Sequence, residues 1–198
     1  MWPAIALVPM SAKQRPTDST LTREQILAAL RALADELGKQ RITGEICLCG
    51  GTVMVLAFVA RPATKDVDAI FQPAQAIREI ACRLADEQGL PANWLNDGVK
   101  GFVSVRHETT AGNLPQFPNL RLTMPVPEYL LAMKCMAARL GGTSGEPTDV
   151  ADIVFLIRHL SMKSAKEVLD LVGQYYPAHS IPVKTRYLVE GLFDEGQI

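Results

Sequence analysis

Two aspartates, Asp66 and Asp68, are the residues whose types and spacing point most directly to chemistry. They lie in residues 65–71, where polar and apolar residues alternate as in a half-buried β-strand. Because alternate side chains of a strand share a face, both carboxylates are expected on one face, with Cα atoms ~7 Å apart, while Val67 and Phe71 face the core. Mg²⁺ is usually held by one or two carboxylates together with substrate phosphates, so the pair predicts a metal site. The alternative is a solvated strand face.

A diglycine, Gly50 and Gly51, is the second feature with chemical meaning. It separates residues 42–49, which have the pattern of a strand, from residues 52–60, which are predicted to form a short buried helix. Glycine lets another molecule approach the backbone closely, and the N–H groups that open a helix bind phosphate. Alone, the diglycine is more often a plain tight turn. Beside an Asp-x-Asp strand, it would place a phosphate site next to a metal site, in an order unlike the Walker or dinucleotide-binding motifs.

Lys134 is the one charged residue within residues 130–138, which are predicted to be helical. A lysine on an apolar helix face either extends its amine to water or meets an anion, such as a triphosphate or the aspartate pair. Asp149 and Asp152 lie in the first turn of the next predicted helix, where acidic residues stabilise the helix end. Asp152 faces inward, and its expected partner is Lys134 or Arg139, in either a structural ion pair or a catalytic role.

The composition is that of an ordinary folded protein with one domain, or with one domain and a small appendage. The chain has 198 residues, of which 48% are hydrophobic and 21% are charged, and its formal net charge is −1. These values exclude disordered, collagen-like and coiled-coil chains. The near-zero charge argues against a strong nucleic-acid footprint, which needs a basic stripe or patch.

Neither the cysteines nor the apolar runs indicate a secreted or membrane protein. Cys47, Cys49, Cys82 and Cys135 form no Cys-x-x-Cys pair, and a reducing cytoplasm is the simplest compartment for them. The longest uncharged run, residues 46–60, is shorter than the ~20 apolar residues of a spanning helix. We therefore expect a cytoplasmic protein with no membrane partner.

The periodicity of apolar residues predicts an α/β protein whose second part is helical. Strands are predicted at residues 42–49, 65–71, 102–106 and 120–124. The first helix is predicted to start at Thr22, with Gln25 completing a capping box. Helices alone are predicted after residue 125, at 127–140, 148–160, 164–176 and 183–193. We expect a flexible N-terminal tail over 1–19, an α/β core over 20–125 and a helical region over 126–198.

The order of these motifs resembles the nucleotidyltransferase fold of the DNA polymerase beta superfamily. Within it, the chain is most similar to the AbiEii-type toxin nucleotidyltransferases and their uncharacterised relatives, over roughly residues 20–180. The matching motifs are Gly50-Gly51, Arg61-x-x-Thr64-x-Asp66-Val67-Asp68, the segment Asn93-Trp94-Leu95-Asn96, the lysine motif from Pro127 to Lys134 with Ala138-Arg139, and Asp149-x-x-Asp152-Ile153. The resemblance implies a small mixed sheet flanked by helices and followed by a C-terminal helical bundle.

The resemblance also implies an activity. A nucleoside monophosphate would pass from an NTP to an acceptor hydroxyl of RNA, protein or a small molecule, with Mg²⁺ or Mn²⁺ as cofactor, and a cognate protein would be the partner in a toxin–antitoxin pair. The implied metal ligands are Asp66 and Asp68. The implied catalytic residues are Asp66, Asp68, Lys134 and Asp152, and the implied accessory residues are Arg139 and Asp149. The implied nucleotide-binding residues are Gly50, Gly51, Thr52, Arg61, Thr64 and Lys134.

The chain departs from the family pattern at two positions. Gly51 stands where many members have serine, and the predicted strand 120–124 offers Arg121 and Thr123 where a third carboxylate is usual. The general base is therefore open, with Asp149 and Asp152 as candidates. One alternative function is a catalytically silent partner-binding module with this fold. Another is an unrelated α/β protein, which would lack a cleft joining the diglycine, the aspartates and the lysine.

Overall fold

The strands of the protein form one mixed five-stranded sheet and one two-stranded pair. The computed structural model describes residues 20–138 and 147–198, so the tail predicted over 1–19 lies outside the described residues. The strands are β1 (Leu21–Thr22), β2 (Gly44–Leu48), β3 (Ala63–Thr64), β4 (Val67–Gln72), β5 (Leu95–Asn96), β6 (Thr109–Thr110) and β7 (Leu120–Pro125). The large sheet has the order β5-β4-β2-β7-β6, and β1 pairs with β3. The prediction of a mixed α/β protein is confirmed.

The central strand of the large sheet is β2. It runs antiparallel to β4, with Leu48 opposite Ala69, and parallel to β7, with Ile46 opposite Leu122. Strand β5 lies parallel to β4, and its residue Asn96 is in register with Asp68. The polar ends of β4 and β5 therefore lie side by side, close to the point where β2 enters the diglycine.

The helices cover the sheet and, after residue 126, pack on one another. They are α1 (Arg23–Lys39), α2 (Gly50–Leu56), α3 (Ala74–Gln88), α4 (Pro127–Ala137), α5 (Pro147–His159), α6 (Ala165–Tyr175) and α7 (Val183–Asp194), with 3₁₀ helices at Gly98–Phe102 and Ala178–Ser180. Helix α1 packs against α3, whereas α4 contacts β7 and the helices α5, α6 and α7. One continuous apolar core joins the two parts of the chain. No helix among the described residues is both long and apolar enough to cross a membrane.

Local signals explain where several elements begin and end. The Thr22 hydroxyl accepts a hydrogen bond from the Gln25 backbone N–H, and the Gln25 side chain accepts one from Thr22 N–H, so the predicted capping box of α1 is confirmed. Gly89 ends α3 in the left-handed conformation, with φ of 65°. At the end of α2, Val59 takes that conformation instead, with φ of 52°, and this helix ends at Leu56 rather than at residue 60 as predicted.

The strand predicted at residues 102–106 is wrong. Phe102 ends a 3₁₀ helix, and the residues after it are irregular. The Ser104 backbone N–H donates to the Tyr129 hydroxyl, and the Ser104 hydroxyl donates to the Tyr175 carbonyl. These groups are thus held by buried residues of two helices, and the alternation of valines at 103 and 105 does not reflect a strand.

Candidate functional site

A cavity of about 560 Å³ lies where the diglycine, the start of β4 and the helix α4 meet. Among the residues predicted to be functional, Gly50, Gly51, Arg61, Thr64, Asp66, Asp68, Lys134 and Asp149 line this cavity. The other lining residues are Lys65, Gly98, Val99, Phe102, Leu130, Met133, Ala137, Ala138 and Lys184. A cleft that joins the diglycine, the aspartates and Lys134 is therefore present. Its absence was the expected mark of an unrelated α/β protein.

The diglycine forms a bend that brings its backbone close to other polar groups. Gly50 has φ of 58°, and a Cβ atom at this position would lie 2.7 Å from Asp68 Oδ2. A Cβ atom on Gly51 would lie 2.9 Å from Nη2 of Arg61 and would also collide with the Thr64 hydroxyl. A larger residue at either position would therefore force these polar side chains to move.

Helix α2 begins at the diglycine itself. Its N-cap residue, Cys49, makes no side-chain capping bond, and the first N–H groups of a helix have no partner within the helix. The helix has seven residues, so its dipole is short. The bend would therefore favour a bound phosphate because its backbone is closely accessible, and not because α2 has a strong helix dipole.

The two aspartates are both half-buried and both line the cavity, but they are held in different ways. Asp68 lies in β4, and its carbonyl accepts a hydrogen bond of 2.8 Å from Cys49 N–H. Asp66 lies one residue before the strand, which corrects the prediction of a strand from residue 65. Its carbonyl accepts from the Thr52 hydroxyl at 3.1 Å, and its Oδ2 accepts from the Asn96 amide at 3.0 Å. These bonds hold the carbonyl and the carboxylate of Asp66 in place.

Thr52 lies outside the lining of the cavity. It is fully buried, and its hydroxyl donates to the Asp66 carbonyl. In this arrangement the hydroxyl proton is directed to that carbonyl and not into the cavity. Thr52 instead supports one of the two aspartates.

Asp152 is the centre of a buried ion-pair network. Its Oδ2 lies 2.6 Å from Lys134 Nζ and 3.0 Å from Arg61 Nη1. The side chains of Asp152, Lys134 and Arg61 are 5%, 10% and 17% exposed. Of the two partners expected for Asp152, Lys134 is therefore observed, whereas Arg139 lies outside the described residues. Because one carboxylate contacts two cations, this network presents excess positive charge to the cavity, which favours an anionic ligand.

Arg61 links the network to the loop before β4. Its Nε donates to the Ala63 carbonyl at 2.9 Å, and its Nη2 donates to the Thr64 hydroxyl at 3.3 Å. Together with the contact to Asp152, these bonds hold the guanidinium in one orientation at the cavity wall. The buried Thr64 hydroxyl is positioned in turn.

The two candidate general bases differ in access. Asp149 is half-buried and lines the cavity, whereas Asp152 is buried and is not among the residues that line it. Asp149 is therefore the better placed of the two for proton transfer within the cavity.

Sequence reasoning assigned no role to several residues that the structure brings to this site. Lys184, at the start of α7, lines the cavity and donates to the Ala138 carbonyl at 2.9 Å. Its sequence context carries no signal, since it is one lysine at the start of an amphipathic helix. Asn96 lies in residues 93–96, a segment singled out by resemblance alone, and its contact with Asp66 depends on the pairing of β4 with β5. Phe102 was missed because its segment was predicted to be a strand.

The oxygen ligands that Asp66 and Asp68 offer fit Mg²⁺ only if a bound phosphorylated ligand supplies further ligands to the ion. Asp66 and Asp68 supply hard carboxylate oxygens in one cavity, and Mg²⁺ bound in this way completes its shell with waters and substrate phosphates. Within residues 20–138 and 147–198, no group of three His, Cys, Asp or Glu side chains is placed to hold a metal by itself. The residues therefore fit a metal that arrives with, or is completed by, a phosphorylated ligand.

The cysteine beside the diglycine does not offer a nucleophile. The hydrogen bond with Cys47 and burial raise the pKa of the Cys49 thiol far above its usual range. Cys49 Sγ donates to the Cys47 carbonyl at 3.6 Å. Cys49 is also only 1% exposed and is not among the residues that line the cavity, so its thiol is not accessible to a ligand bound there.

Comparison with known proteins adds no relative to these observations. No protein-family model, no curated protein and no solved structure matches the chain. What can be said of its function follows from its residues and from the geometry of the cavity.

Proposed function

We propose that the protein is a Mg²⁺-dependent nucleotidyltransferase with the fold of the DNA polymerase beta superfamily, related to the AbiEii-type enzymes. The observation that carries the proposal is that a single cavity is lined by the diglycine, by Asp66 and Asp68, and by Lys134. These features lie up to 84 positions apart in the sequence. A metal–triphosphate site needs these features in one place. If the aspartates formed only a solvated strand face, there would be no reason for the diglycine and Lys134 to lie in the same cavity.

The size and charge of the cavity support a nucleotide as the ligand. A volume of about 560 Å³ lies within the range of roughly 300–1,000 Å³ that is typical of small-molecule sites. Basic residues from three parts of the chain, Arg61, Lys134 and Lys184, line the same cavity as the aspartates. A triphosphate would interact with these cations, and its metal ion would interact with the carboxylates.

The proposed reaction is displacement at the α-phosphorus of the NTP. The acceptor hydroxyl oxygen forms a bond to this phosphorus, the bond to the bridging oxygen breaks, and pyrophosphate leaves. Mg²⁺ held by Asp66 and Asp68 would neutralise charge on the phosphates. Lys134 would bind the triphosphate as a point charge, and the bend at Gly50 would let a phosphate approach the backbone. Asp149 would take the proton of the acceptor hydroxyl.

The acceptor is proposed as a class, namely a hydroxyl of RNA, of a protein or of a small molecule. The chain has a formal net charge of −1, so RNA binding would depend on a local basic patch. Transfer of label from an α-³²P-labelled NTP to total RNA, to a protein extract or to the protein itself would identify the class.

The proposal is tested with Asp66→Asn and Asp68→Asn, which keep the shape of each side chain and remove its charge. Each variant should lose label transfer and weaken Mg²⁺-dependent NTP binding, because one of the two carboxylates that would hold the metal has lost its charge. Asp170→Asn is the matched control, since Asp170 is an exposed residue of α6. If both site variants bind NTP and transfer label as the unmodified protein does, the assignment is wrong.

A second candidate is a catalytically silent protein that binds a partner. It is favoured by the departure on β7, where Arg121 is exposed and Thr123 stands in place of a family carboxylate. The partner would be the cognate protein of a toxin–antitoxin pair or of another small complex. Absence of label transfer together with absence of NTP binding in calorimetry would favour this function over the enzyme.

A further inference from the structure

The cavity is lined by two chemically different sets of residues. One set comprises the diglycine, the aspartates and the basic residues described above. The other set is apolar and consists of Val99, Phe102, Leu130, Met133 and Ala137. A ligand that contacts both sets needs a highly charged part joined to a flat or apolar part.

Phe102 belongs to a segment that is held rigidly although it is irregular. Its carbonyl accepts a hydrogen bond of 2.5 Å from the Tyr176 hydroxyl. Two residues later, Ser104 N–H donates to the Tyr129 hydroxyl at 2.8 Å. The Tyr129 ring stacks on the Tyr175 ring, with centroids 4.9 Å apart.

These tyrosines are themselves well packed. Tyr129 is 2% exposed, and Tyr175 and Tyr176 are each 7% exposed. The 3₁₀ helix Gly98–Phe102 is therefore anchored to α4 and to the end of α6, and Phe102 is half-buried at the cavity. Little conformational entropy would be lost when a ligand ring packs on this side chain, because its backbone is already fixed.

We propose that Phe102 is the stacking surface for the nucleobase of the bound nucleotide. This inference rests on the proposed function, because a base stacks on Phe102 only if the triphosphate of the same nucleotide binds the charged residues of this cavity. Aromatic side chains stack on any base, since every base has a π-face. The side chains of Val99, Leu130 and Met133 offer no strong hydrogen-bond donor or acceptor to a base edge. These residues would therefore pack against the base without discriminating between different bases.

The test compares a ligand that has a base with one that has none. ATP and inorganic tripolyphosphate are each titrated, in the presence of Mg²⁺, into the full chain and into Phe102→Leu and Phe102→Tyr. Leucine keeps an apolar side chain but removes the ring, whereas tyrosine keeps the ring. Phe117→Leu is the matched control, because Phe117 is a half-buried aromatic residue outside the cavity that packs under Arg31.

Phe102→Leu should weaken ATP binding roughly 5- to 100-fold and leave tripolyphosphate binding unchanged. Phe102→Tyr should bind ATP within about threefold of the unmodified protein, since it retains the aromatic face. Phe117→Leu should change neither affinity.

Two results overturn the stacking role while the proposed function stands. In one, Phe102→Leu binds ATP as tightly as the unmodified protein does. In the other, it loses ATP and tripolyphosphate equally, which would mean that Phe102 only shapes the cavity. If the unmodified protein binds neither ligand, the proposed function fails and the base site fails with it.

Discussion

Asp152→Asn is expected to lower the free energy of unfolding more than any conservative substitution on the protein surface does. The substitution keeps the shape of the side chain and removes the negative charge that lies 2.6 Å from Lys134 Nζ and 3.0 Å from Arg61 Nη1. Both cations are less than one-fifth exposed, so water cannot replace the lost partner. Breaking a buried ion pair on one side costs about 3–5 kcal/mol, because a buried charge is left uncompensated.

Urea unfolding is the assay for this prediction, and the fluorescence of the fully buried Trp94 is its reporter. A loss of about 3–5 kcal/mol corresponds to a fall in Tm of about 6–20 °C for a chain of this size. Asp170→Asn is the control, because its partner Lys166 has an 83% exposed side chain, and no measurable change is expected.

The double variant Asp152→Asn, Lys134→Met separates the ion pair from other causes. Removing Lys134 as well takes away one of the two uncompensated cations. The double variant should therefore be more stable than the sum of the single losses predicts, by roughly 1–3 kcal/mol. A loss below about 1 kcal/mol for Asp152→Asn alone, or strictly additive losses, would refute the reasoning from buried charge.

Three further substitutions test other parts of the structure. Gly50→Ala should lower the free energy of unfolding by about 1–2 kcal/mol and weaken Mg²⁺–ATP binding in calorimetry, because φ is 58° and the new Cβ would lie 2.7 Å from a carboxylate oxygen. Val59→Gly should raise the free energy of unfolding by about 1 kcal/mol in urea, since Val59 is 70% exposed and has φ of 52°. Asn96→Ala should weaken Mg²⁺ binding roughly 10- to 100-fold in a Mn²⁺ competition titration, because it removes the amide that holds Asp66.

Each of these three has an outcome that contradicts it. Gly173→Ala is the control for the first, since a Cβ atom there meets nothing within 4 Å, and it should stabilise α6. If Gly50→Ala behaves like Gly173→Ala, the bend does not need glycine. A destabilised Val59→Gly would mean that the valine side chain contributes packing that outweighs its strain. Unchanged metal affinity in Asn96→Ala would remove any role of Asn96 in positioning Asp66.

Local patterns in the sequence were sufficient to find the elements that carry the site. The alternation around Asp68 predicted β4 with Val67 and Phe71 in the core, and both are buried. The capping box at Thr22 was likewise predicted, because it depends on residues within one helical turn. Helix and strand periodicities are local, so they can be identified without knowledge of the tertiary contacts.

The rest of the site depends on contacts between distant residues, which a single sequence does not encode in any spacing. The contact of Arg61 with Asp152 joins residues 91 positions apart. Ser104 is held by residues 25 and 71 positions away, so its segment has no strand although its valines alternate. Lys184 reaches the cavity only because α7 packs on α4. The Asp66 carbonyl is held by the Thr52 hydroxyl, 14 positions earlier in the chain.

A crystal structure with a non-hydrolysable NTP and Mn²⁺ tests the central claim most directly, because Mn²⁺ reveals its position by anomalous scattering. The account predicts an anomalous peak bound by Asp66 and Asp68, with the triphosphate between the diglycine bend and Lys134. Nucleotide bound at another surface, or a cavity in which the two carboxylates bind no metal at saturating nucleotide, would contradict it.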